Sequence, residues 1–331
     1  MATYKGIQGY SVQKLSTDPT VEDTVGQLWY NSTEGSFKIS TEGAGAWSAG
    51  GALNTGRDMV CGLGTQTAAI CVGGEPPVGA GAGIAVEQYN GTAWTTKTST
   101  ASAYYGRGGS GTSTASLVFG GTPTLSGNTE KFDGTNWTEV SNLNTARAVM
   151  GGSSAGTSAA ALAFGGYANS AATEVWNDVS WATSPATLTT GRDAGGGCGS
   201  STSAQFNAGG GTHPSTAIYA LTEQFNGSTW SEVADLNTAR EAVGYMAVGT
   251  QASSMAIGGK APATVSTVES WNGTSWSAAT SLPSPRSETG TAGADNTAAA
   301  MFGGTGPGGS NHTETFEWTD PVYAIKTVTV S

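Results

Sequence analysis

One octapeptide, ESWNGTSW at residues 269–276, recurs along the sequence and most constrains its fold. Its central Asn-Gly pair favours a type I′ hairpin turn, which requires positive φ at both central residues. Pairing about that turn predicts that Trp271 lies opposite Thr274. It also places Glu269 opposite Trp276, with all four side chains on one face. An isolated hairpin is marginally stable, so each copy is expected to pack on a neighbour. Near-copies occupy residues 87–94, 130–137, 174–181 and 223–230.

A regular series of tryptophans defines the repeat. Spacings of 42 to 49 residues divide the chain into six units of about 45 residues, the length of a four-stranded propeller blade. Each unit adds two small-residue strands, the second ending at a Gly pair, before its hairpin. Four strands per unit without helical periodicity predict an all-β fold of radial blades, a six-bladed β-propeller. The series is Trp47, Trp94, Trp137, Trp181, Trp230, Trp276 and Trp318.

The last unit ends at TETFEW, residues 313–318, with no NGTxW behind it. A matching orphan strand lies at residues 45–49, ahead of the first unit. We expect this N-terminal strand to complete the sixth blade and close the ring, which removes open sheet edges. The predicted domains are an N-terminal anchor with a hairpin at 1–44, the propeller at 45–318, and a C-terminal strand at 319–331. This last strand is expected beside the hairpin.

Arginine and glutamate recur once per unit. A binding ring is one interpretation, but a catalytic site is single, so we expect buried Arg–Glu pairs that fix the register between blades. Removing one partner of such a pair costs about 3 to 5 kcal/mol. Unit two has Ser102 near the arginine position and breaks the rule. The residues concerned are Arg57, Arg147, Arg192, Arg240, Arg286, Glu87, Glu130, Glu174, Glu223, Glu269 and Glu314.

Loop length varies at one place in the repeat. The distance from Glu to Trp is seven residues in all five complete copies, whereas 8 to 13 residues separate the Gly pair from the Glu. Variable loops on a rigid scaffold are common recognition surfaces, although drift in unconstrained loops explains them equally well. These loops are expected beside the arginine-bearing turns, at one mouth of the ring. The candidate ligand-binding side chains are Tyr167, His213, Tyr219, Lys260 and His312.

Catalytic and metal-binding patterns are weak. Asp58 and Asp193 each follow an arginine and could serve a glycosidase, but opposed positions in a ring suit that chemistry poorly. We therefore expect no catalytic residue, no metal and no cofactor. The three cysteines lack metal spacing. Cys61 and Cys71 flank a predicted turn and could face each other as a disulfide, although two buried thiols are the simpler interpretation.

Charge and hydropathy narrow the partners. A net charge of −11 disfavours nucleic acid, whose binding depends on Lys and Arg contacts to phosphates. Residues 1–20 contain no apolar core of signal-peptide length, and no run approaches 18 apolar residues. We expect a protein made without a signal peptide and without membrane insertion.

The arginine-opened unit, the strand ending in Gly-Gly and the aromatic hairpin resemble kelch repeats of the galactose-oxidase-like type across residues 47–318. The His and Tyr set of a copper oxidase is not matched. With its LNTAR turns, its Gly/Ala-rich strands and the GQLWYN segment at 26–31, the chain also resembles virion structural proteins of tailed, particularly marine, phages.

That second resemblance implies a non-enzymatic virion protein: a tail fibre, adhesin or capsid decoration. Its implied partners are other virion proteins, through the N-terminal hairpin and C-terminal strand, and a host-surface glycan or protein. The alternatives are an intracellular kelch-type adaptor for protein interactions and, third, a glycan-processing enzyme.

Overall fold

The computed structural model describes residues 12–19, 26–76, 83–201, 203–207, 210–211, 217–244, 248–320 and 323–329. Over these residues the protein is all-β: they form 28 strands, grouped in seven four-stranded sheets, and no helix. The chain divides into two compact units. One combines Met1–Ala46 with Asp320–Ser331, and the other spans Trp47–Thr319.

The smaller unit is a single sheet with strand order β1-β2-β3-β28. The C-terminal strand β28 pairs antiparallel with β3, with Ile325 opposite Ser40. On β2, Trp29 and Asn31 both donate hydrogen bonds to one carboxylate oxygen of Asp18, at 2.9 and 2.8 Å. Both ends of the chain therefore contribute to one sheet. Its strands are β1 (Gln13–Leu15), β2 (Leu28–Asn31), β3 (Ser36–Glu42) and β28 (Tyr323–Thr327).

The larger unit contains six antiparallel sheets, here called sheets one to six in chain order. Sheets one to three are built from β5 (Cys61–Thr65), β6 (Ala68–Val72), β7 (Val86–Tyr89), β8 (Trp94–Lys97), β9 (Gly108–Thr112), β10 (Ala115–Phe119), β11 (Thr129–Phe132), β12 (Trp137–Val140), β13 (Gly151–Gly152), β14 (Ala161–Phe164), β15 (Thr173–Trp176) and β16 (Trp181–Thr183).

Sheets four to six repeat this arrangement, and the last one takes its fourth strand, β4, from near the N-terminus. They comprise β17 (Gly196–Gly199), β18 (Ala204–Asn207), β19 (Glu223–Phe225), β20 (Trp230–Glu232), β21 (Val248–Gly249), β22 (Ser254–Ile257), β23 (Val268–Trp271), β24 (Trp276–Ala279), β25 (Gly290–Gly293), β26 (Ala298–Phe302), β27 (Thr315–Thr319) and β4 (Ala46–Ala49). This architecture is consistent with a β-propeller.

The hairpin register differs from the prediction. Trp271 lies opposite Trp276, and Glu269 lies opposite Ala278, so the loop has four residues rather than two. The cause is the side chain of Asn272, whose carboxamide oxygen accepts the N–H groups of the second and third residues after it, at 3.0 and 2.9 Å. Glu269 and both tryptophans still share one face, because Glu269 lies two residues before Trp271 on the same strand and Trp276 lies directly opposite Trp271. The tryptophan rings lie 5.3 Å apart.

The tryptophan series also needs one correction. In the sixth sheet Trp318 lies on the third strand, opposite Ala299, where the other sheets carry the first aromatic of the octapeptide, such as Trp271. Its indole donates to the carbonyl of Asn296, as that of Trp271 donates to Gln251. The fourth-strand position belongs to Trp47, whose ring stacks on Trp318 at 5.4 Å.

Six residues in the turns before the first strands adopt left-handed backbone conformations, with φ between 48° and 61°. Each donates its N–H to the carbonyl of its counterpart in the preceding repeat, over 2.7 to 3.1 Å. The first donates to the sixth, so these hydrogen bonds form an unbroken cycle. Five of the six are not glycine, and a left-handed residue costs about 1 to 2 kcal/mol. They are Met59, Gly106, Val149, Ala194, Ala242 and Glu288.

A second set of bonds joins neighbouring sheets. The tryptophan that opens a fourth strand donates its indole N–H to a buried threonine hydroxyl on the preceding sheet. The pairs are Trp94 with Thr315, Trp181 with Thr129, Trp230 with Thr173, and Trp276 with Thr222, at 2.8 to 3.1 Å. Trp137 and Trp47 follow sheets that carry valine there, Val86 and Val268. The Nε1 of Trp137 is buried without a partner in the described structure, and Trp47 donates to the Thr280 carbonyl instead.

The cysteines of the first hairpin do not face each other. Cys61 lies opposite Val72, and Cys71 lies opposite Gly62. Adjacent ladder positions project to opposite faces of a sheet, so the two thiols enter different core clusters. Both are free and buried, and a disulfide between them is ruled out by the register.

Candidate functional site

The recurring arginines and glutamates are buried ion pairs. The Arg57 guanidinium lies 2.9 Å from Glu87, and that of Arg240 lies 3.2 Å from Glu269. Burial lowers the pKa of Arg240 to about 10, and the charge of Glu269 opposes that shift. The guanidinium therefore stays protonated at neutral pH. Arg147 with Glu174 and Arg192 with Glu223 complete the set of pairs from these positions.

Each pair joins two parts of the same repeat, whereas the sequence suggested pairing that sets the register between blades. The arginine lies in the turn that precedes the first strand, and the glutamate lies on the third strand. The same glutamate accepts backbone N–H groups of the turn, as Glu174 does from Asn144 and Thr145 at 2.7 and 3.2 Å. The pair thus fixes the segment that arrives from the preceding sheet, and it explains the recurrent LNTAR and LTTGR turns.

Unit two keeps its ion pair through a different residue. Arg107 lies 3.1 Å from Glu130, and both side chains are buried. Three residues earlier, at the place that Arg57 takes in the first unit, stands Tyr104, with its ring centroid 5.4 Å from the guanidinium carbon. The Asn128 side chain accepts a further hydrogen bond from the same guanidinium, at 2.9 Å. In the sequence, unit two keeps the recurrent Glu130 but has no arginine at the usual position. This was the available signal that Arg107 takes the place of that arginine.

The sixth repeat departs from the pattern, and Glu314 does not occupy the shared glutamate position. That position is Phe316, which lies opposite Met301 as Glu87 lies opposite Cys71. Glu314 is half exposed and lies 3.3 Å from Arg286 and 3.0 Å from His312. The preceding turn reads LPSPR, so Pro283 replaces the residue whose N–H the glutamate would accept. The sixth repeat therefore lacks both the glutamate that would accept this hydrogen bond and the backbone N–H that would donate it.

A cavity of about 290 Å³ lies beside the cycle of left-handed residues, and all six repeats contribute to its lining. Its residues come from three equivalent positions: the residue that precedes the left-handed one, the left-handed residue itself, and the residue that follows the Gly pair. At the first of these positions the side chain differs from repeat to repeat. The six residues there are Asp58, Tyr105, Ala148, Asp193, Glu241 and Ser287.

Two of the predicted ligand-binding side chains, Tyr167 and Lys260, line this cavity together. They occupy equivalent positions after a Gly pair, where Tyr167 donates its N–H to Ala148 and Lys260 exchanges both backbone bonds with Glu241. Tyr219 and His312 lie further along their loops and do not line it. His213 falls outside the described residues.

The cavity wall is charged on one side. Asp193, Glu241 and Glu288 contribute carboxylates, and the Lys260 ammonium lies 2.8 Å from Glu288. Burial raises the pKa of Glu241; the neighbouring Glu288 raises it further, while Lys260 lowers it. Sequence reasoning missed Glu241 and Glu288, although Glu241 follows Arg240 directly and Glu288 stands two residues after Arg286.

The two aspartates considered for catalysis both belong to this ring of equivalent positions. Asp58 accepts a hydrogen bond from the Thr305 hydroxyl at 2.6 Å, and the same hydroxyl lies 3.1 Å from Glu288. Burial raises the pKa of Asp58 to about 6, with Glu288 and Glu75 adding to the shift. Asp193 is buried at the cavity wall.

No protein-family model matches the chain, and no curated protein matches it. Among the described residues, no group of three or more His, Cys, Asp or Glu side chains is arranged to hold a metal ion. The described residues contain no helix that is long and apolar enough to cross a membrane.

Proposed function

We propose that the chain is a closed six-bladed β-propeller of the kelch type that serves as a non-enzymatic virion structural protein of a tailed phage. In this role it is a tail fibre, adhesin or capsid decoration that presents the propeller mouth to a host-surface glycan or protein.

Two sets of contacts support closure with six blades. The cycle of backbone hydrogen bonds passes through six equivalent residues and returns from Met59 to Glu288. The bond from Trp94 to Thr315 joins sheet one to sheet six as equivalent bonds join sheets two and three, three and four, and four and five. A crystal structure or electron cryomicroscopy map with six sheets around one axis is the expected result, and a seventh sheet or an open edge would contradict it.

Recognition at the mouth rests chiefly on one observation: equivalent positions around the cavity carry different side chains, while the buried Arg–Glu pairs are nearly constant. A scaffold that only fills space has no need of such variety at one place. The left-handed residues beside the cavity carry backbone strain, which concentrates at functional sites in many proteins. A rigid frame with one chemically varied cavity is suited to binding a specific ligand.

The smaller unit is the proposed attachment to other virion proteins, through its hairpin and the C-terminal strand. Mass spectrometry of purified particles of the encoding virus tests this assignment, and we expect stoichiometric amounts of the chain. Its absence from particles would refute the virion role. Adsorption of purified protein to host cells tests recognition independently of the virion assignment. The control variant is Glu139→Gln, which removes one exposed negative charge.

A glycan-processing enzyme is the second candidate, because Asp58 and Asp193 are carboxyl groups in unequal environments and a pKa near 6 suits a general acid. A polysaccharide screen decides between the two roles. Turnover that disappears in both Asp58→Asn and Asp193→Asn would favour the enzyme, and no turnover is expected from a binding protein.

A further inference from the structure

The mouth cavity has two unlike sides. Tyr105 and Tyr167 contribute aromatic residues, and Met59 and Val149 contribute apolar ones. The charged residues lie on the repeats that follow, four to six. A ligand that fills a cavity of about 290 Å³ therefore meets an apolar wall and an ionic wall at once.

The ionic wall carries an excess of negative charge. Two carboxylates, those of Glu241 and Glu288, lie near one ammonium group, that of Lys260, among the described residues of the lining. Lys260 is committed to Glu288, at 2.8 Å. Its charge is thus shared among more carboxylates than it can neutralise.

Glu241 is held in place by its surroundings. Its backbone exchanges hydrogen bonds with Lys260, at 3.0 and 2.7 Å. Gly211, which follows the Gly pair of the fourth repeat, leaves room for the carboxylate, since a Cβ at that residue would collide with Oε2 of Glu241. The carboxylate is half-buried in a fixed position, an arrangement that favours a charge-assisted hydrogen bond from a cationic ligand.

We propose, resting on the recognition role above, that this cavity binds an ammonium group carried on a small apolar body, with Lys260 acting as an internal competitor. Glu241 receives the ammonium, and the rings of Tyr105 and Tyr167 cover the body and add cation–π attraction. A lysine side chain of a partner protein and an amino sugar of a glycan share this chemistry.

Titration of the full-length protein with two pairs of probes, followed by NMR, tests the proposal. The first pair is the blocked tripeptide Ac-Gly-Lys-Gly-NH₂ and its ε-N-acetylated form, and the second is glucosamine and N-acetylglucosamine. At least one amine is expected to bind fivefold or more tighter than its neutral partner. The pair that shows the difference identifies the source. Equal binding within each pair, or no binding, overturns the proposal.

Two variants are expected to change the affinity for the amine in opposite directions, which a purely structural role of these residues would not produce. Glu241→Gln should weaken amine binding at least fivefold, whereas Lys260→Met should strengthen it, because the competing internal cation is removed. Glu139→Gln, at an exposed carboxylate on β12 that does not line the cavity, should leave binding unchanged. Weaker amine binding in Lys260→Met would refute the competitor role, provided that thermal unfolding shows the variant to be folded.

The two proposals fail separately. Adsorption to host cells without any preference for amine probes would leave the recognition role intact and reject the cationic ligand. Amine binding by a protein that is absent from virus particles and does not adsorb to cells would reject the virion role and keep the cavity chemistry.

Discussion

Single residues decide how neighbouring sheets of this protein are joined. Four of the six fourth-strand tryptophans donate to a threonine hydroxyl on the preceding sheet, and the two exceptions follow sheets with valine at that place. A valine and a threonine differ little in shape, but only the hydroxyl can accept the indole proton. Whether threonine or valine stands just before the shared glutamate position on the third strand thus determines where these bonds form.

Val86→Thr should give the unpaired indole of Trp137 an acceptor. We expect the free energy of unfolding to rise by about 1 kcal/mol, the usual net contribution of a hydrogen bond, measured by urea denaturation. The matched variant Thr129→Val should cost about 1 to 3 kcal/mol, since it leaves the buried N–H of Trp181 unsatisfied. If both substitutions changed the free energy of unfolding by the same amount in the same direction, the indole–hydroxyl bond would be irrelevant to stability.

Asp58 should make stability depend on pH. Its pKa is about 6 in the folded protein against an ordinary 3.8, so the folded state binds the proton more tightly. That contribution is complete below about pH 4 and is lost as the pH rises through 6. Asp58→Asn should therefore gain stability relative to the native protein between pH 4 and pH 7 in urea titrations. If the difference in free energy of unfolding between Asp58→Asn and the native protein stays constant over this pH range, the raised pKa of Asp58 is contradicted.

The three thiols should be inert in the folded protein. Burial raises the pKa of Cys61 to about 12 and that of Cys71 to about 11, and Cys198 is also fully buried. Since the thiolate is the reactive form, a thiol reagent such as DTNB should label none of them at pH 8. In denaturant it should label all three. Only one labelled thiol after denaturation would indicate a disulfide.

At the scale of the strand and its preceding turn, the sixth repeat shows that the glutamate and its donors form one device. Phe316 replaces the glutamate, and Pro283 removes the N–H group that would bind it. Proline cannot donate a backbone hydrogen bond, so either change alone would leave the other group without its partner.

A double-mutant cycle tests this dependence. Phe316→Glu alone should lower the free energy of unfolding by about 1 to 3 kcal/mol, because the half-buried carboxylate lacks the backbone N–H that Pro283 removes. Adding Pro283→Asn should recover at least about 1 kcal/mol of that loss through the new N–H and carboxamide. Pro283→Ala in the same background separates the backbone contribution from that of the side chain. Additive effects in the cycle would exclude coupling.

For the larger unit as a whole, the strand β4 joins distant parts of the sequence. Trp47 stacks on Trp318 and bonds to the carbonyl of Thr280, across 233 residues of chain. Closing so long a loop is entropically costly, and the cost must be offset by packing within the sixth sheet.

Trp47→Ala should lower the free energy of unfolding by up to about 3 kcal/mol, less than for a fully buried tryptophan. In a closed ring, hydrogen exchange should accelerate in β27 and in the adjoining sheets one and five, within one cooperative transition. Acceleration confined to β27 would argue against closure. Val179→Ala, at an exposed turn residue, is the control.

The sequence by itself determined the all-β class, the four strands of each unit and the missing fourth strand of the last one, because repeats and strand alternation are local patterns. It misplaced the hairpin register, since the carboxamide of Asn272 closes a four-residue loop that an Asn-Gly dipeptide does not distinguish from a two-residue turn. It also misplaced Glu314, which shares the spacing of the other glutamates without sharing their ladder position.

Only the tertiary structure decided which side chains meet. Arg107 reaches Glu130 from a different position in its repeat, and Tyr167, Glu241 and Lys260 line one cavity although they are far apart in sequence. The cycle of left-handed residues is likewise invisible in the sequence, because five of its six members are not glycine. Their conformation is imposed by hydrogen bonds between repeats, and such long-range contacts leave no local pattern in the chain.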